Sequence, residues 1–455
     1  MAPPYSNSMH PNPLTSETST IFALSSAPGR AGVAVIRISG PAAQDVLKKM
    51  VAPLPKPRVA AFRTIRHPET GEALDRAVVL WFAAPLSETG EDVVEFQAHG
   101  SRAVVAALLS ALATIPGCRL AEPGEFARRA FENGKLDLAE VEGLADLIDA
   151  ETDAQRRQAL AQAGGSLSRL YEGWRARLIE IAALTEAAID FSDEGDVSAS
   201  SFAEARKRAE TLAKEIAAHL DDDHRGEILR DGFRVALLGS PNAGKSSLLN
   251  ALARRDAAIV SSEAGTTRDV IEVRLDLGGL PVIVSDTAGI REASSEVEQE
   301  GIRRSLAVAH NADLILWLAE KAESIPPLGF SRETSLVIRS KADLPHESQP
   351  GPEFADLAIS AKTGAGLDRL IAVISQRAQQ AVGSQTDPAI TQARHRQALE
   401  AALSDVNAFL SGPPDDIELR AEDVRRAAQA LGRITGRVDV EDVLDQIFSR
   451  FCIGK

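Results

Sequence analysis

The feature that most constrains this chain is residues 234–250, RVALLGSPNAGKSSLLN. An apolar run from Val235 to Leu238 precedes a loop that matches G-x-x-x-x-G-K-[ST], and a helix-forming segment follows it. In this order, the loop amides and the helix N-terminus face an anion, which is the arrangement of a phosphate-binding loop. We therefore expect Lys245 to reach the β- and γ-phosphates of a nucleotide, and the Ser246 hydroxyl to hold Mg²⁺.

Three later motifs select GTP among the nucleotides. Residues 286–289, DTAG, match the D-x-x-G loop that senses the γ-phosphate, and Thr267 lies where a switch threonine contacts Mg²⁺. Residues 340–343, SKAD, resemble N-K-x-D, in which Asp343 accepts from the guanine N–H donors. Residues 360–362, SAK, resemble the motif that closes over the guanine oxygen. Four motifs in the correct order predict a GTPase.

Two departures from the common GTPase pattern affect binding and hydrolysis. Ser340 replaces the Asn of N-K-x-D, and one hydroxyl cannot supply both the donor and the carbonyl acceptor of an amide. We expect weaker nucleotide binding, by about 1 kcal/mol for one hydrogen bond. Ile290 stands where many GTPases have a water-orienting Gln, so another polar group must do this. The residues 291–298 offer several carboxylates, which an acidic helix start would also explain.

Composition limits the classes of protein that remain. The 455 residues suggest about three domains, and 44% hydrophobic residues are enough for a sizeable core. The net charge of −15 means that a nucleic-acid partner needs a local basic surface. Two distant cysteines, Cys118 and Cys452, argue against a disulfide framework and for a reducing cytoplasm. Apolar runs are too short for a membrane span, and residues 1–19 lack the features of a signal peptide.

Hydrophobic periodicity predicts a multidomain α/β plus α protein. We expect a disordered extension (1–19), an α/β domain (20–134), a helical segment (135–230), a Ras-like P-loop GTPase domain with a parallel sheet (231–382), and a second helical segment (383–455). Neither helical segment can bury its apolar face alone, so we expect one helical domain built from both, with the GTPase domain inserted. Residues 221–223, DDD, could form a metal cluster, but a solvated helix end is the simpler reading.

Taken together, the motifs are those of a known family. The GTPase segments are GSPNAGKSSLLN, GTTRD and DTAGIREASSEVE. The first domain contains PGRAGVAVIRISG, GEDVVEFQAHG and PGEFARRAFENGKLDLAEVEGLADLI, and the chain ends with FCIGK. This combination closely resembles the MnmE (TrmE) family of tRNA modification GTPases, over nearly the whole chain from Thr20.

The resemblance implies a homodimer whose first domains bind 5,10-methylenetetrahydrofolate. Arg37, Glu95 and Lys135 match the folate-contacting positions of the family, and the terminal Lys455 is a further candidate. The cations would face the glutamyl tail or a polar ring edge, and the carboxylate would pair with the N–H donors of the pterin.

The resemblance also implies that K⁺ replaces an arginine finger when two GTPase domains meet across the nucleotide. Asn242 matches the K⁺ ligand, and the loop 261–266 would contribute Ser261, Glu263 and Thr266. Glu298 matches the residue that positions the catalytic water, which selects one carboxylate from the 291–298 stretch.

The full set of residues expected at GTP combines the four motifs and the switch loop. It consists of Asn242, Ala243, Gly244, Lys245, Ser246, Ser247, Ser261, Ser262, Glu263, Ala264, Gly265, Thr266, Thr267, Asp286, Thr287, Ala288, Gly289, Ser340, Lys341, Asp343, Ser360, Ala361 and Lys362.

The family works with an FAD-dependent partner, MnmG (GidA), to add aminomethyl or carboxymethylaminomethyl groups to C5 of the wobble uridine (U34) of tRNA. For this chain that implies GTP hydrolysis that drives domain opening and closing, without itself being the alkylation step. The alternative class is an RNA-associated regulatory GTPase of ribosome assembly without modification chemistry. The arginine pairs 128–129, 156–157 and 425–426 could meet tRNA phosphates or could be solvated helix faces.

Cys452 is the most ambiguous residue. It could be a thiol that attacks uridine C6 or that lies near the folate carbon, and the resemblance makes it a candidate catalytic residue together with Glu298. It could equally be a small buried residue beside Phe448 and Phe451. Prenylation is disfavoured, because Gly454 and a terminal lysine do not fit the motif.

Overall fold

A computed structural model describes residues 19–190, 195–240, 242–255, 257–259, 272–286, 311–320, 331, 334–344, 355–383, 388–413, 416–438 and 441–454. The chain divides into two compact units. One unit combines Met1–Ala145 with Asp439–Lys455, and the other is Asp146–Val438. Elements are numbered below over the described residues.

The first unit is built on a six-stranded sheet in the order β3-β4-β5-β2-β1-β6. All neighbours are antiparallel except β1 and β6, and alternating residues of the strands bury a core under α1 and α2. The sequence predicted this α/β domain. The elements are β1 Thr20–Leu24, β2 Ala31–Ser39, α1 Ala43–Met50, β3 Ala61–Arg66, β4 Ala73–Phe82, β5 Val93–Gly100, α2 Arg102–Ala113, β6 Cys118–Leu120, α3 Glu125–Glu132 and α4 Leu138–Asp149.

The C-terminal segment belongs to this first unit. Helix α13, Glu441–Phe448, places Phe448 in a cluster with Leu138 and Val141, and Phe451 joins the same cluster. Ile453 then forms an antiparallel bridge with Pro123. The sequence assigned these residues to the second helical segment, because periodicity shows that α13 has an apolar face but not which surface covers it.

The helical core of the second unit comes from both flanks of the GTPase domain, as expected. Its cluster of buried side chains includes Trp174, Ile216, Phe409 and Leu431, one from each of four long helices. Those helices are α6 Ser166–Asp190, α7 Gly195–Leu220, α11 Ala393–Ser411 and α12 Ile417–Thr435.

The GTPase domain has a six-stranded sheet in the order β12-β11-β10-β7-β9-β8. The prediction of a parallel sheet is correct for five strands, but β8 runs antiparallel to β9. Gly278 and Gly279, with φ of 70° and 88°, form the tight turn between them. The elements are β7 Phe233–Gly239, α9 Lys245–Ala253, β8 Glu272–Leu277, β9 Leu280–Asp286, β10 Leu314–Ala319, β11 Ser335–Arg339, β12 Leu357–Ala358 and α10 Leu367–Val382.

Two short helices outside the predicted domain boundary pack on this sheet. Ala154 of α5, Asp153–Ala163, and Leu229 of α8, Arg225–Asp231, are buried in the core of the GTPase domain. The Ala154 amide also donates to the Gly279 carbonyl at 3.2 Å, at the β8–β9 turn. The core of the GTPase domain therefore includes side chains of α5 and α8 that lie before its predicted first residue.

Candidate functional site

The phosphate-binding loop joins the carboxyl end of β7 to α9. Gly244 is the residue before α9, with φ of 94°, and Lys245 and Ser246 are the first two residues of the helix. The Lys245 ammonium donates to the carbonyls of Gly239 (2.8 Å) and Ser240 (3.0 Å), so it is folded over the loop. Burial lowers the pKa of Lys245, and the nearby Asp286 carboxylate opposes this shift. A phosphate in the loop would offer this buried cation stronger, charged acceptors.

The predicted Mg²⁺ ligand lies beside the D-x-x-G aspartate. Strands β7 and β9 are parallel neighbours, with Leu237 paired to Asp286, so their carboxyl ends meet. The Ser246 hydroxyl donates to Asp286 Oδ2 at 2.7 Å, and Asp286 is 5% exposed. A hydroxyl and a carboxylate of this kind are hard oxygen donors that suit Mg²⁺, directly or through water.

A cavity of about 250 Å³ lies next to the loop, where the base of a nucleotide is expected. The Asp343 carboxylate accepts from the Ser360 hydroxyl at 2.6 Å, and this bond lowers the pKa of Asp343. The Thr363 amide donates to the same hydroxyl at 3.1 Å, which orients it. Asp343 is thus held as an ionised acceptor. The cavity is lined by Gly244, Ser247, Leu248, Leu318, Ser340, Lys341, Asp343, Leu344, Ile359, Ala361 and Lys362.

Ser340 is the unusual residue of this cavity. It is 4% exposed, and its hydroxyl has no hydrogen-bond partner in the part of the chain that the structure describes. A buried hydroxyl without a partner costs about 1–3 kcal/mol. Ser340 therefore leaves an unmet hydrogen bond at the position where a GTPase usually places an amide.

A second group of polar residues lies on the sheet of the first unit. Arg37 on β2 donates through Nε to Glu95 Oε1 on β5 at 3.0 Å, because the two residues are cross-strand partners. Arg37 Nη1 also lies 2.7 Å from Glu88 Oε2, and its guanidinium lies 5.8 Å from the centre of the Phe126 ring. The structure thus brings Arg37 and Glu95 together. Glu88 was not identified from the sequence, since nothing in its position predicts that contact.

Lys135 is exposed in the turn after α3 and lies against Gly90. Asn133 of the same turn donates through Nδ2 to the Thr89 carbonyl at 2.8 Å. The third candidate folate residue is therefore beside the loop 83–92, which also carries Glu88.

Comparison with known proteins identifies the family. A model of the MnmE helical domain matches residues 138–452, and a model of the GTP-binding protein TrmE N-terminus matches residues 20–135. A tRNA modification GTPase MnmE of Parvibaculum lavamentivorans is 56% identical over 442 residues, which is 96% of this chain and 100% of that protein. Its counterpart in Methylobacterium radiotolerans is 52% identical over 440 residues, with 96% and 100% covered. The chain belongs to the MnmE family. As a member of that family, it is a GTP hydrolase that takes part in tRNA modification.

The solved structures add little to this assignment. The G domain of the T. maritima FeoB iron transporter is 26% identical, over 32% of this MnmE-family chain and 98% of that chain, with a TM-score of 0.22. A TM-score this low means that the two structures superimpose poorly over the whole chain. Within the described ranges, no helix of the MnmE-family chain is long and apolar enough to cross a membrane.

Several predicted site residues of this MnmE-family chain lie outside the described residues. They are Ser261, Ser262, Glu263, Ala264, Gly265, Thr266, Thr267, Thr287, Ala288, Gly289, Glu298 and Lys455. Asn242, the predicted K⁺ ligand, is described: it is exposed on the phosphate-binding loop, with φ of 64°.

Cys452 is an exposed, free thiol in the first unit. The alternative that it is a buried core residue is wrong, because Cys452 is exposed, whereas Phe448 and Phe451 are buried in a hydrophobic cluster. Cys118 is also free, and burial raises the pKa of its thiol.

The arginine pairs of this MnmE-family chain are engaged with carboxylates. Arg129 is 3% exposed and bonds to Glu91 (3.1 Å) and Glu125 (2.9 Å), so it is an interior residue of the first unit. The other members form ion pairs at the surface: Arg128 with Asp445, Arg156 and Arg157 with Asp153, Arg425 with Glu186, and Arg426 with Asp405.

The acidic run 221–223 follows the end of α7, and its Asp221 and Asp223 are exposed, as predicted for a solvated helix end, whereas Asp222 is not. Asp222 is 8% exposed and lies 2.7 Å from Arg396, because α11 brings that cation to it. Among the described residues, no group of three or more His, Cys, Asp or Glu is arranged to hold a metal ion.

Proposed function

We propose that this chain is the GTP-hydrolysing subunit of a complex that adds aminomethyl or carboxymethylaminomethyl groups to C5 of U34 in tRNA. Family membership supports the tRNA substrate. The observation that carries the GTPase part is the loop in which Lys245 and the Ser246–Asp286 pair are already assembled beside a base-sized cavity. The proposed complex contains a homodimer of this chain and the FAD-dependent MnmG. We also propose a cytoplasmic location, which the two free cysteines support.

We propose the following roles at the nucleotide. The loop from Asn242 to Ser247 holds the phosphates, Ser246 and Thr267 bind Mg²⁺, and Asp343 accepts from guanine. The remaining residues assigned to GTP from the sequence complete this site. Bound by Ser246 and Thr267, Mg²⁺ would neutralise the negative charge that develops on the phosphates during transfer.

Water activation needs a substitute for the glutamine that Ile290 replaces. We propose that Glu298 orients the attacking water, and that K⁺ held by Asn242, Ser261, Glu263 and Thr266 stabilises charge on the phosphates. The exposed position of Asn242 on the loop supports this, because its side chain is open to an ion at a second GTPase domain.

We propose that the one-carbon group is held in the first unit as 5,10-methylenetetrahydrofolate. The Arg37–Glu95 pair offers donors for an anionic or carbonyl group and an acceptor for the pterin N–H groups, and Lys135 and Lys455 add positive charge. Cys452 is an exposed thiol of the same unit, and we propose that its thiolate adds to uridine C6. This addition breaks the C5=C6 double bond and makes C5 the nucleophile toward the one-carbon group. Loss of the C5 proton then restores the double bond and expels the Cys452 thiolate.

Two measurements of GTP turnover test the proposed roles of K⁺ and Glu298: one replaces K⁺ with Na⁺ in the assay, and the other uses a Glu298 variant. Replacing K⁺ with Na⁺ should lower GTP turnover by at least tenfold while GDP binding persists, and indifference to the ion would refute the K⁺ assignment. Glu298→Ala should abolish hydrolysis and retain GTP affinity. Loss of affinity as well would show a folding defect and not a missing catalytic group.

A further inference from the structure

Glu88 contacts the cation proposed to bind folate, but the roles assigned so far do not include it. Arg37 uses two edges of its guanidinium: Nε donates to Glu95, and Nη1 lies 2.7 Å from Glu88 Oε2. The Arg37 and Glu95 side chains are 18% and 15% exposed, whereas the Glu88 side chain is 51% exposed. Glu95 is therefore the inner partner of Arg37, and Glu88 reaches it from the solvent side.

The backbone that carries Glu88 is fixed. Thr89 is fully buried, its hydroxyl lies 2.7 Å from the Ser39 hydroxyl, and its carbonyl accepts from Asn133. On the other side, the Ser87 hydroxyl donates to the Glu91 carbonyl at 2.5 Å. Glu88 can therefore leave Arg37 by rotation of its own side chain, without opening of the loop.

The contacts of Arg37 with Glu95 and Phe126 determine which kind of ligand group can take the place of the Glu88 carboxylate at Nη1. The bond to Glu95 and the Phe126 ring hold the guanidinium in one orientation, so Nη1 presents its donors in a fixed direction. A guanidinium edge of this kind binds a carboxylate or a carbonyl oxygen. A reduced folate carries both groups, on its glutamyl tail and its pterin ring.

We propose that Glu88 is an intramolecular competitor for folate at Arg37. Its carboxylate occupies the Nη1 donor that an acceptor oxygen of the ligand takes, and the ligand binds when Glu88 rotates into solvent. This inference rests on the proposed folate function. Because a half-exposed ion pair is weak, the competition lowers folate affinity by a modest factor and not by orders of magnitude.

The test is calorimetric binding of 5-formyltetrahydrofolate, a stable one-carbon folate, to the full-length protein. Glu88→Gln removes the competing charge and should tighten binding about two- to fivefold, as expected for loss of an exposed ion pair. Glu88→Asp keeps the charge but shortens the side chain, so it should also bind more tightly than the wild type. Glu69→Gln, at an exposed site in the β3–β4 turn, is the matched charge control and should leave the affinity unchanged.

Each outcome decides a different claim. If the wild type binds the folate and Glu88→Gln binds it no more tightly, the competitor role is wrong and the folate proposal stands. Equal tightening by Glu69→Gln would replace contact competition with a general charge effect. Absence of binding in the wild type and in all variants, with GTP hydrolysis intact, would overturn the folate proposal and this inference with it.

Discussion

At the scale of single residues, Ser340 and Asp343 differ in how they are held in the cavity proposed for the base. Asp343 is fixed by Ser360 and can serve as the acceptor for guanine, while the buried Ser340 hydroxyl has no partner among the described residues. The proposed guanine acceptor, Asp343, is thus held in place, whereas the Ser340 hydroxyl beside it is not hydrogen-bonded among the described residues.

Ser340→Asn should tighten GDP binding by several fold, since it restores one hydrogen bond of about 1 kcal/mol. Ser340→Ala is the matched control: it removes the unpaired hydroxyl without adding a donor, so its affinity should stay near that of the wild type or rise slightly. Fluorescence titration with a labelled GDP measures all three proteins. An unchanged or weaker affinity for Ser340→Asn would show that the hydroxyl is not the limiting group.

His219 gives a residue-scale prediction about pH. Burial lowers the pKa of His219 to about 4, and its ring packs 5.3 Å from Trp174 and 5.8 Å from Tyr171. The folded pKa lies below the ordinary value of about 6.5, so the unfolded chain takes up the proton first as pH falls. The contribution to stability is therefore complete above pH 6.5 and declines between pH 6.5 and 4, by about 2 kcal/mol at pH 5.

The fluorescence of Trp174 reports this titration in a variant that carries Trp81→Phe and Trp317→Phe. We expect the emission to be constant from pH 8 to 5.5 and to change with a midpoint near pH 4. Adding His219→Gln should remove that transition. A midpoint near pH 6.5 would show that His219 is solvated and that the helical core around it is loosely packed.

At the scale of elements, the segment after Val438 is the main departure from the sequence-based organisation. Periodicity identified the helix that became α13, but its partners Leu138 and Val141 are about 300 residues earlier in the chain. Hydrophobic periodicity is a local property of the sequence, so it cannot predict that two segments this far apart pack together. The sequence predicted a parallel sheet for the GTPase domain, whereas β8 is half-exposed and is joined to β9 as an antiparallel hairpin through Gly278 and Gly279, which was not predicted.

In the candidate sites, too, local motifs could be predicted from the sequence and long-range contacts could not. The phosphate-binding loop and the base motifs could be predicted because their spacing is local. The Glu88 contact with Arg37 could not, since it depends on how the loop 83–92 folds over β2. Asp222 was misjudged for a similar reason: its partner Arg396 comes from a helix beyond the GTPase domain.

Gly124→Ala tests the docking of α13. Gly124 has φ of 70°, and a Cβ there would lie 2.4 Å from the Phe448 carbonyl oxygen, so the C-terminal segment must shift. We expect faster amide hydrogen exchange across residues 443–454, with GTP turnover unchanged. Gly117→Ala is the matched control, because its φ is 80° and no atom lies within 4 Å of the added Cβ. If both variants accelerate hydrogen exchange in this segment equally, the cause is backbone strain at the substituted glycine and not a clash with Phe448.

At the scale of the whole molecule, the two proposed chemistries belong to different compact units. Lys245, Ser246 and Asp286 lie in the unit Asp146–Val438, while Arg37, Glu95 and Cys452 lie in the other. In the proposed function, GTP hydrolysis controls the modification without taking part in it. Within the GTP-binding unit, the contacts of Ala154 with Gly279 and of Glu151 with Arg274 (3.0 Å) join the GTPase sheet to the helical segment before it.

The central claim is that this GTPase supports modification of wobble uridine, and mass spectrometry of tRNA nucleosides tests it most directly. A strain that lacks this chain should lose the C5 aminomethyl or carboxymethylaminomethyl group at U34, and the wild-type gene should restore it. Lys245→Ala should fail to restore it, because the loop then lacks its phosphate-binding cation. Normally modified wobble uridines in the deletion strain would contradict the account and favour a regulatory GTPase without modification chemistry.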